Sequence, residues 1–319
     1  MDPELLSTAR GLSAVKWSFF GLMITALFQI LAVWLSGSVA LLADTIHNFG
    51  DAATAVPLGL AFLLSRKKPD KRFTYGYGRA EDLAGLFIVF LILLSVAVAA
   101  YESFFRLLYP QPVDFLWAVA AASVIGFLGN EIVAKYRITV GNEIGSAALI
   151  ADGYHARADG FTSLAVLFGA LGVWIGYPLA DPVIGLLITV AILRIVWQAG
   201  KSVFSRMLDG VDPVIVDDIR KVVSQVKDVK DITEIRVRWL GHRLHAEVNV
   251  AVDSGLSVKE GHEIAVNVRH NLLHSLDYLS NAVVHIDPVG ASGEIYHQFP
   301  ERESDAPHVN LAESEASDY

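Results

Sequence analysis

Two stretches of the sequence place the same set of charged side chains within apolar surroundings. They read GSVALLADTIHNFGD at residues 37–51 and ADGYHARADG at residues 151–160, and both contain the pattern Ala-Asp-x-x-His-x-x-x-Asp. The polar members of the two patterns are Asp44, His47 and Asp51, and Asp152, His155 and Asp159. Residues i, i+3 and i+7 share one face of a helix, so each stretch predicts an α-helix with one aspartate–histidine–aspartate face.

The segments around these stretches are long and apolar. The 319 residues are 53% hydrophobic and only 18% charged, whereas soluble domains are about a quarter charged. A helix needs about 20 apolar residues to cross a bilayer core of about 30 Å. We predict six transmembrane helices from the apolar segments, which are 17–35, 39–64, 83–100, 115–129, 144–177 and 182–199.

Charge and cysteine content exclude several classes of protein. The net charge of −9 makes nucleic acid an improbable partner, and the absence of cysteine excludes disulfide scaffolds and thiolate metal sites. Lysine and arginine are concentrated in the connections at 66–79, 135–137 and 201–206, which follow the second, fourth and sixth predicted spans. By the positive-inside rule, both termini of this multi-pass membrane protein are predicted to be cytoplasmic, and we expect it in the cell membrane.

The sequence beyond the last span has the pattern of a small α+β domain. Asp212 and Pro213 are typical of a helix start, two strand patterns follow at 232–240 and 244–252, Ser257 and Glu260 form a capping box, and a last strand pattern lies at 283–286. The predicted order is α-β-β-α-β. We therefore divide the chain into a cytoplasmic N-terminus (1–11), a six-helix transmembrane domain (12–208), a cytoplasmic domain (209–290) and a disordered acidic tail (291–319).

The charged residues within the spans indicate a metal or proton site, because ionisable groups in a membrane are costly and usually functional. The two patterned helices run in opposite directions, and their histidines lie roughly 15 Å from the nearer end of each span. His47, Asp51, His155 and Asp159 would then supply two imidazoles and two carboxylates to one ion. Zinc accepts such a tetrahedral set of nitrogen and oxygen ligands.

The sequence leaves more than one role open for the other polar residues of the spans. Asp44, Asn48 and Asp152 are candidates to orient the ligands through hydrogen bonds from outside the coordination sphere. Asp44 and Asp152 would alternatively pair with Arg157. Glu131 on the fourth span would either line a cavity or bond to a neighbouring helix.

The sequence resembles the cation diffusion facilitator family of divalent metal/proton antiporters. The resemblance covers about residues 10–290 and is carried by GSVALLAD at 37–44, the two His-x-x-x-Asp motifs, and YGYGRAE at 75–81. The pairing of two His-Asp motifs is typical of zinc members of the family.

The resemblance implies a homodimer in which each protomer has one transport site between the second and fifth spans. A divalent cation, Zn²⁺ first and Fe²⁺, Co²⁺, Cd²⁺ or Mn²⁺ as alternatives, would leave the cytoplasm in exchange for protons by alternating access. Neutral histidine binds a metal ion and protonated histidine does not. Because the reference pKa of histidine is about 6.5, the two ions can compete near neutral pH.

The resemblance also implies sites outside the spans. The cytoplasmic domain, as the dimerisation and metal-sensing domain, would hold a regulatory metal site of His245, His262, His285 and Asp287, although Asn249 stands where the family often has histidine. Arg79 and Asp209 would interlock the two protomers, or would simply be solvated charges.

Two details limit these expectations. A zinc site in the loop before the third span is expected to be absent, because only Asp70 remains of its ligands and Phe73 and Tyr77 occupy the histidine positions. His242 is expected to lie in a turn without further role.

Two other classes of function share some of these features. An intramembrane zinc-dependent hydrolase would hold the metal with protein ligands and keep one coordination position for water. A membrane-tethered metal sensor would depend on the cytoplasmic domain alone. The duplicated motif within the spans favours a transporter over an enzyme or a sensor.

Overall fold

The computed structural model describes residues 3–36, 55–109, 116–177 and 179–290. The chain forms two compact units. The first comprises the described residues of Met1–Ile215 together with Val237–Ala246 and Asp277–Asn281, and the second comprises the described remainder. His47, Asp51, Asp44 and Asn48 lie outside the described residues, as does the acidic tail from residue 291.

Long apolar helices make up most of the first unit, as predicted. Five of them are long and apolar enough to cross a membrane, and a sixth helix is apolar but shorter in its described part. In chain order they are α1 (Pro3–Ser36), α2 (Ala55–Ser65), α3 (Arg79–Leu108), α4 (Leu116–Ile144), α5 (Ala147–Trp174) and α6 (Ala180–Met207). Together with the α+β elements below, they confirm the predicted fold class.

Four helices, α1, α3, α4 and α6, extend beyond the apolar segments that predicted them. α4 continues to Ile144, well past the predicted end at Gly129. The charged residues Glu131 and Arg137 end the apolar run but not the helix, because both side chains find partners on α5. Hydropathy therefore locates the spans without determining their ends.

The core of the first unit is apolar, and so is much of its outer surface. Fully buried members of the core are Leu58, Phe62, Ile88, Ile92 and Leu149. Large side chains such as Trp17, Phe28, Phe90 and Trp197 are more than half exposed. Exposed aromatic and aliphatic surface of this extent fits helices surrounded by lipid.

Close contact between α4 and α5 requires glycine. An added Cβ at Gly153 would lie 3.1 Å from the backbone oxygen of Ala134 and 2.6 Å from Cγ1 of Ile138. Small residues at such positions let helix backbones approach each other in membranes. The contact determines which side chains of α4 reach the polar residues of α5.

The α+β elements follow in the predicted order. They are α7 (Pro213–Ser224), β1 (Asp231–Leu240), β2 (Arg243–Val252), α8 (Val258–Ser275) and β3 (Leu279–Pro288). The strand order is β1-β2-β3. The Ser257 hydroxyl accepts from the Glu260 backbone N–H, and the Glu260 carboxylate accepts from the Ser257 backbone N–H at 2.8 Å, so the predicted capping box is confirmed.

Candidate metal site

His155 and Asp159 lie side by side in the middle of α5. The helix begins after Ser146, whose hydroxyl accepts a hydrogen bond from the Leu149 backbone N–H. His155 is 2% exposed and Asp159 is 5% exposed, and Nδ1 of the histidine is 3.6 Å from Oδ2 of the aspartate. The predicted sharing of one helix face is confirmed for this pair, which places an imidazole and a carboxylate together inside a candidate membrane span.

The other half of the predicted site belongs to residues that the structure does not describe. His47 and Asp51 lie in the segment 37–54, so their meeting with His155 and Asp159 stays a prediction. Within the described ranges, no three histidine, aspartate or glutamate side chains are close enough to form a metal site. A four-coordinate ion would therefore need ligands from outside α5.

Asp152 is paired with an arginine, but not with the one considered from the sequence. Its Oδ2 is 3.0 Å from Nη1 of Arg137 on α4. Arg157 instead donates from Nε and Nη2 to the two carboxylate oxygens of Glu131, at 3.1 and 2.8 Å. The alternative pairing of Asp152 with Arg157 is thus wrong, and Glu131 bonds to a neighbouring helix.

The loop before α3 uses its aspartate to hold its own backbone. Oδ1 of Asp70 accepts from the backbone N–H groups of Arg72 and Phe73, and the Tyr77 hydroxyl donates to Oδ2 at 2.6 Å. The Tyr77 hydrogen bond, followed by that of Phe73, lowers the pKa of Asp70 to about 2. The carboxylate therefore acts as an acceptor that closes the loop.

Arg79 and Asp209 form an ion pair within one chain. Arg79 also donates from Nη1 to the backbone oxygen of Arg206 at 3.0 Å. These contacts connect the start of α3 with the end of α6. The interlock between protomers stays a prediction, and the two charges do have partners inside the protomer.

Of the four residues predicted to form a cytoplasmic metal site, His285 and Asp287 are in contact. Nε2 of His285 is 2.9 Å from Oδ1 of Asp287, as expected for residues two apart on a strand. His262 is exposed on α8, and His245 lies on β2. The four residues do not form a cluster of three or more in the described part of the chain, so the regulatory site also stays a prediction.

His242 has a larger role than the sequence suggested. The residue is 2% exposed, and its Nδ1 is 2.7 Å from Oε2 of buried Glu81 while its Nε2 is 3.1 Å from Oγ1 of buried Thr8. Ser146 donates to the other oxygen of Glu81. One imidazole therefore links the N-terminal parts of α1 and α3, and only the glutamate in YGYGRAE indicated a buried polar group there.

The turn that carries His242 makes a second contact with α3 and one with α6. The Gly241 backbone N–H donates to Oδ2 of Asp82 on α3 at 3.2 Å. Arg206 on α6 donates from Nη1 to the backbone oxygens of Gly145 and Gly241, at 2.6 and 3.2 Å. The turn therefore belongs structurally to the ends of the helices, consistent with its grouping in the first unit.

A cavity of about 110 Å³ lies farther along the bundle, between α3, α5 and α6. Its polar lining includes Arg106, which donates to Glu102 at 2.6 Å and to Asp181 at 3.3 Å. Thr162, three residues after Asp159, also lines this space. The lining of the cavity therefore includes a residue of α5 close to Asp159 in sequence, but neither His155 nor Asp159 is part of that lining.

Comparison with known proteins gives two family matches that cover most of the chain. Residues 15–208 match the cation efflux transmembrane domain, and residues 211–289 match the cytoplasmic domain of cation efflux proteins. A probable cation efflux system protein of Mycobacterium tuberculosis is 52% identical over 288 residues, which are 90% of this chain and 87% of the relative.

More distant relatives carry more specific names. The manganese efflux system protein MneS of Bacillus subtilis is 26% identical, with 88% of this chain and 96% of that protein covered. The magnetosome protein MamB of Paramagnetospirillum magneticum is 28% identical, with 87% and 94% covered.

Proposed function

The chain belongs to the cation efflux family, the cation diffusion facilitators, and on that premise we propose that it exports Zn²⁺ from the cytoplasm in exchange for protons. Its general function is cation efflux by an integral membrane protein. The metal, the counter-ion and the ligands belong to the proposal. The observation that carries it is the buried His155–Asp159 pair inside α5.

The geometry of this pair supports exchange of a metal ion for a proton. With a proton on the imidazole, Nδ1 at 3.6 Å from the Asp159 carboxylate makes an internal ion pair. When the imidazole is neutral, the same nitrogen and oxygen atoms are metal ligands. The two cations therefore compete for one position, and His47 and Asp51 complete the ligand set in the proposal.

The ligand types favour zinc among the candidate metals. Imidazole suits zinc and the later transition metals, whereas manganese prefers sites made of oxygen ligands. MneS is named for manganese efflux, so a relative of this chain acts on another metal. Fe²⁺, Co²⁺, Cd²⁺ and Mn²⁺ are accordingly the competing substrates that an experiment has to compare with Zn²⁺.

The proposal includes a dimer with cytoplasmic termini. Support for the topology comes from the lysines and arginines after the second, fourth and sixth spans. The match to the cytoplasmic domain of cation efflux proteins supports a cytoplasmic position for the α+β elements. Because the family is one of transporters, the hydrolase alternative has no support from it.

Flux measurements on purified protein in vesicles test the proposal. An acidic lumen should drive uptake of Zn²⁺ by molecules whose cytoplasmic face is outward, and the lumen pH should rise as protons leave. His155→Ala and Asp159→Ala should each lower the Zn²⁺ flux at least tenfold. His270→Ala, a change of the same type at an exposed position of α8, should leave it unchanged.

Each part of the proposal has its own contrary result. Normal flux in His155→Ala would remove α5 from the transport site. Flux that ignores the proton gradient would exclude antiport. Faster transport of another divalent cation at equal concentration would reassign the substrate.

A further inference from the structure

A second charged pair lies one helical turn from His155, toward the N-terminal end of α5. Asp152 precedes His155 by three residues and therefore shares its helix face. The side chain of Asp152 is 0% exposed and that of its partner Arg137 is 1% exposed. The predicted topology puts this end of α5 on the cytoplasmic side, which is where a cation for export would arrive.

The two buried side chains of this pair have fewer hydrogen bonds than their charges require. Nη1 of Arg137 is 3.0 Å from Oδ2 of Asp152, yet neither carboxylate oxygen has a hydrogen-bond partner among the described residues. Nε and Nη2 of Arg137 also have no hydrogen-bond partner there. Buried arginine–carboxylate pairs are stable when further hydrogen bonds satisfy both groups, so this arrangement is costly.

Helix packing does not account for this cost. α4 and α5 are already held by the glycine contact at Gly153 and by the two hydrogen bonds between Arg157 and Glu131. That second pair joins the same two helices, is partly exposed, and has both oxygens bonded. A purely structural link would resemble the Arg157–Glu131 pair rather than the Arg137–Asp152 pair.

The unused bonding capacity of Asp152 points to a cation as its other partner. A carboxylate with no hydrogen-bond donor on either oxygen can coordinate a divalent ion without breaking an existing hydrogen bond. Nη1 of Arg137 also donates to the backbone oxygen of Asp152 at 3.4 Å. This oxygen remains an acceptor for the guanidinium when a cation binds the Asp152 carboxylate. Exchange of the two cations at Asp152 therefore needs only a small movement of Arg137.

We propose that Asp152 is a relay ligand that binds the cation on its way to His155 and Asp159, and that Arg137 occupies the carboxylate between transport cycles. The cation displaces the guanidinium on arrival, and the guanidinium displaces the cation when it moves on. This inference rests on the proposed function, because it adds a binding step to the same route.

The decisive variant removes both charges together. Arg137→Met/Asp152→Leu replaces the pair with apolar side chains and leaves no unpaired charge in the bundle, a change that buried ion pairs often tolerate. We expect folded protein whose initial Zn²⁺ flux at low Zn²⁺ concentration falls at least tenfold through a raised KM. Equilibrium binding of Zn²⁺ should stay within threefold of the unmodified protein.

The matched control removes the neighbouring pair from the same helices. Glu131→Leu/Arg157→Met should leave the flux within twofold of the unmodified protein, because these residues have no part in the relay. If the apolar variant at Arg137 and Asp152 does not fold, Arg137→Gln/Asp152→Asn removes the charges while keeping polar side chains of similar shape, and the same loss of flux is expected.

The results separate a failure of the relay from a failure of the proposed function. Unchanged KM and flux in the folded double variant, beside an inactive His155→Ala, would overturn the relay alone. Normal flux in His155→Ala would overturn the proposed transport site on α5, and the relay with it. A tenfold loss in both the relay variant and the control pair would show that disturbing the contact between α4 and α5 is sufficient, and it would also overturn the relay.

Discussion

Replacing His242 with alanine removes an imidazole that contacts two buried side chains of the helix bundle. Glu81 loses the partner of its Oε2 atom, Thr8 loses the contact of its hydroxyl with the imidazole, and both side chains are buried. Among the described residues, Glu81 then keeps only the hydrogen bond that Ser146 donates to its other oxygen. We therefore expect His242→Ala to destabilise the folded protein strongly, although the residue lies in a turn.

The size of the effect follows from burial. Leaving a buried hydrogen-bonding group without its partner costs about 1–3 kcal/mol, and more when the group is charged. We expect about 3 kcal/mol, since Ser146 still bonds to Glu81. At about 2–4 °C per kcal/mol for a domain of 150–250 residues, Tm should fall by about 6–12 °C.

Thermal unfolding of the purified protein in detergent measures this shift. His270→Ala is the control, because that histidine is exposed on α8 and its loss should change stability by no more than about 0.5 kcal/mol. A double-mutant cycle of His242→Ala with Glu81→Gln should show coupling, with the double variant less destabilised than the sum of the singles. Equal Tm values for His242→Ala and His270→Ala would refute the buried link.

Three further predictions test individual contacts. Gly153→Val places a branched side chain against the α4 backbone and should severely lower the yield of folded protein in size-exclusion chromatography. Gly176→Ala is the control, because no described residue beyond its chain neighbours lies within 4 Å of the added Cβ, so the change should mainly add local strain from the positive φ of this residue. Ser257→Ala removes the capping box of α8 and should cost about 1 kcal/mol in chemical denaturation; an unchanged midpoint would contradict the cap. Tyr77→Phe removes the main cause of the lowered Asp70 pKa, so a carboxyl NMR titration should find that pKa closer to 3.8. Because its folded pKa is lowered, ionised Asp70 stabilises the folded protein above pH 3.8, and this stabilisation is lost as the pH falls toward 2. Most of this pH-dependent stabilisation should be absent in Tyr77→Phe, and an unmoved titration would exclude the Tyr77 hydrogen bond as the cause.

Local patterns in the sequence account for the parts of the protein that depend on nearest neighbours. Hydropathy located the helices because a membrane span is an unbroken apolar run, and the element order after residue 212 followed from capping residues and strand alternation. His155 and Asp159 are four residues apart, so helical periodicity alone placed both on one helix face. Helix ends were missed where a charged residue such as Arg137 was buried by a partner on another helix.

The tertiary structure decided which polar groups meet. From the sequence, Arg157 was the arginine considered as a partner for Asp152, but the close approach of α4 at Gly153 paired Asp152 with Arg137 and left Arg157 to Glu131. His242 reaches Glu81 across 161 positions of the chain. Helical periodicity determines the face on which a side chain lies, because it is a property of the local backbone. The rotation and register of one helix against another depend on the packing of the whole bundle, and these select the partner.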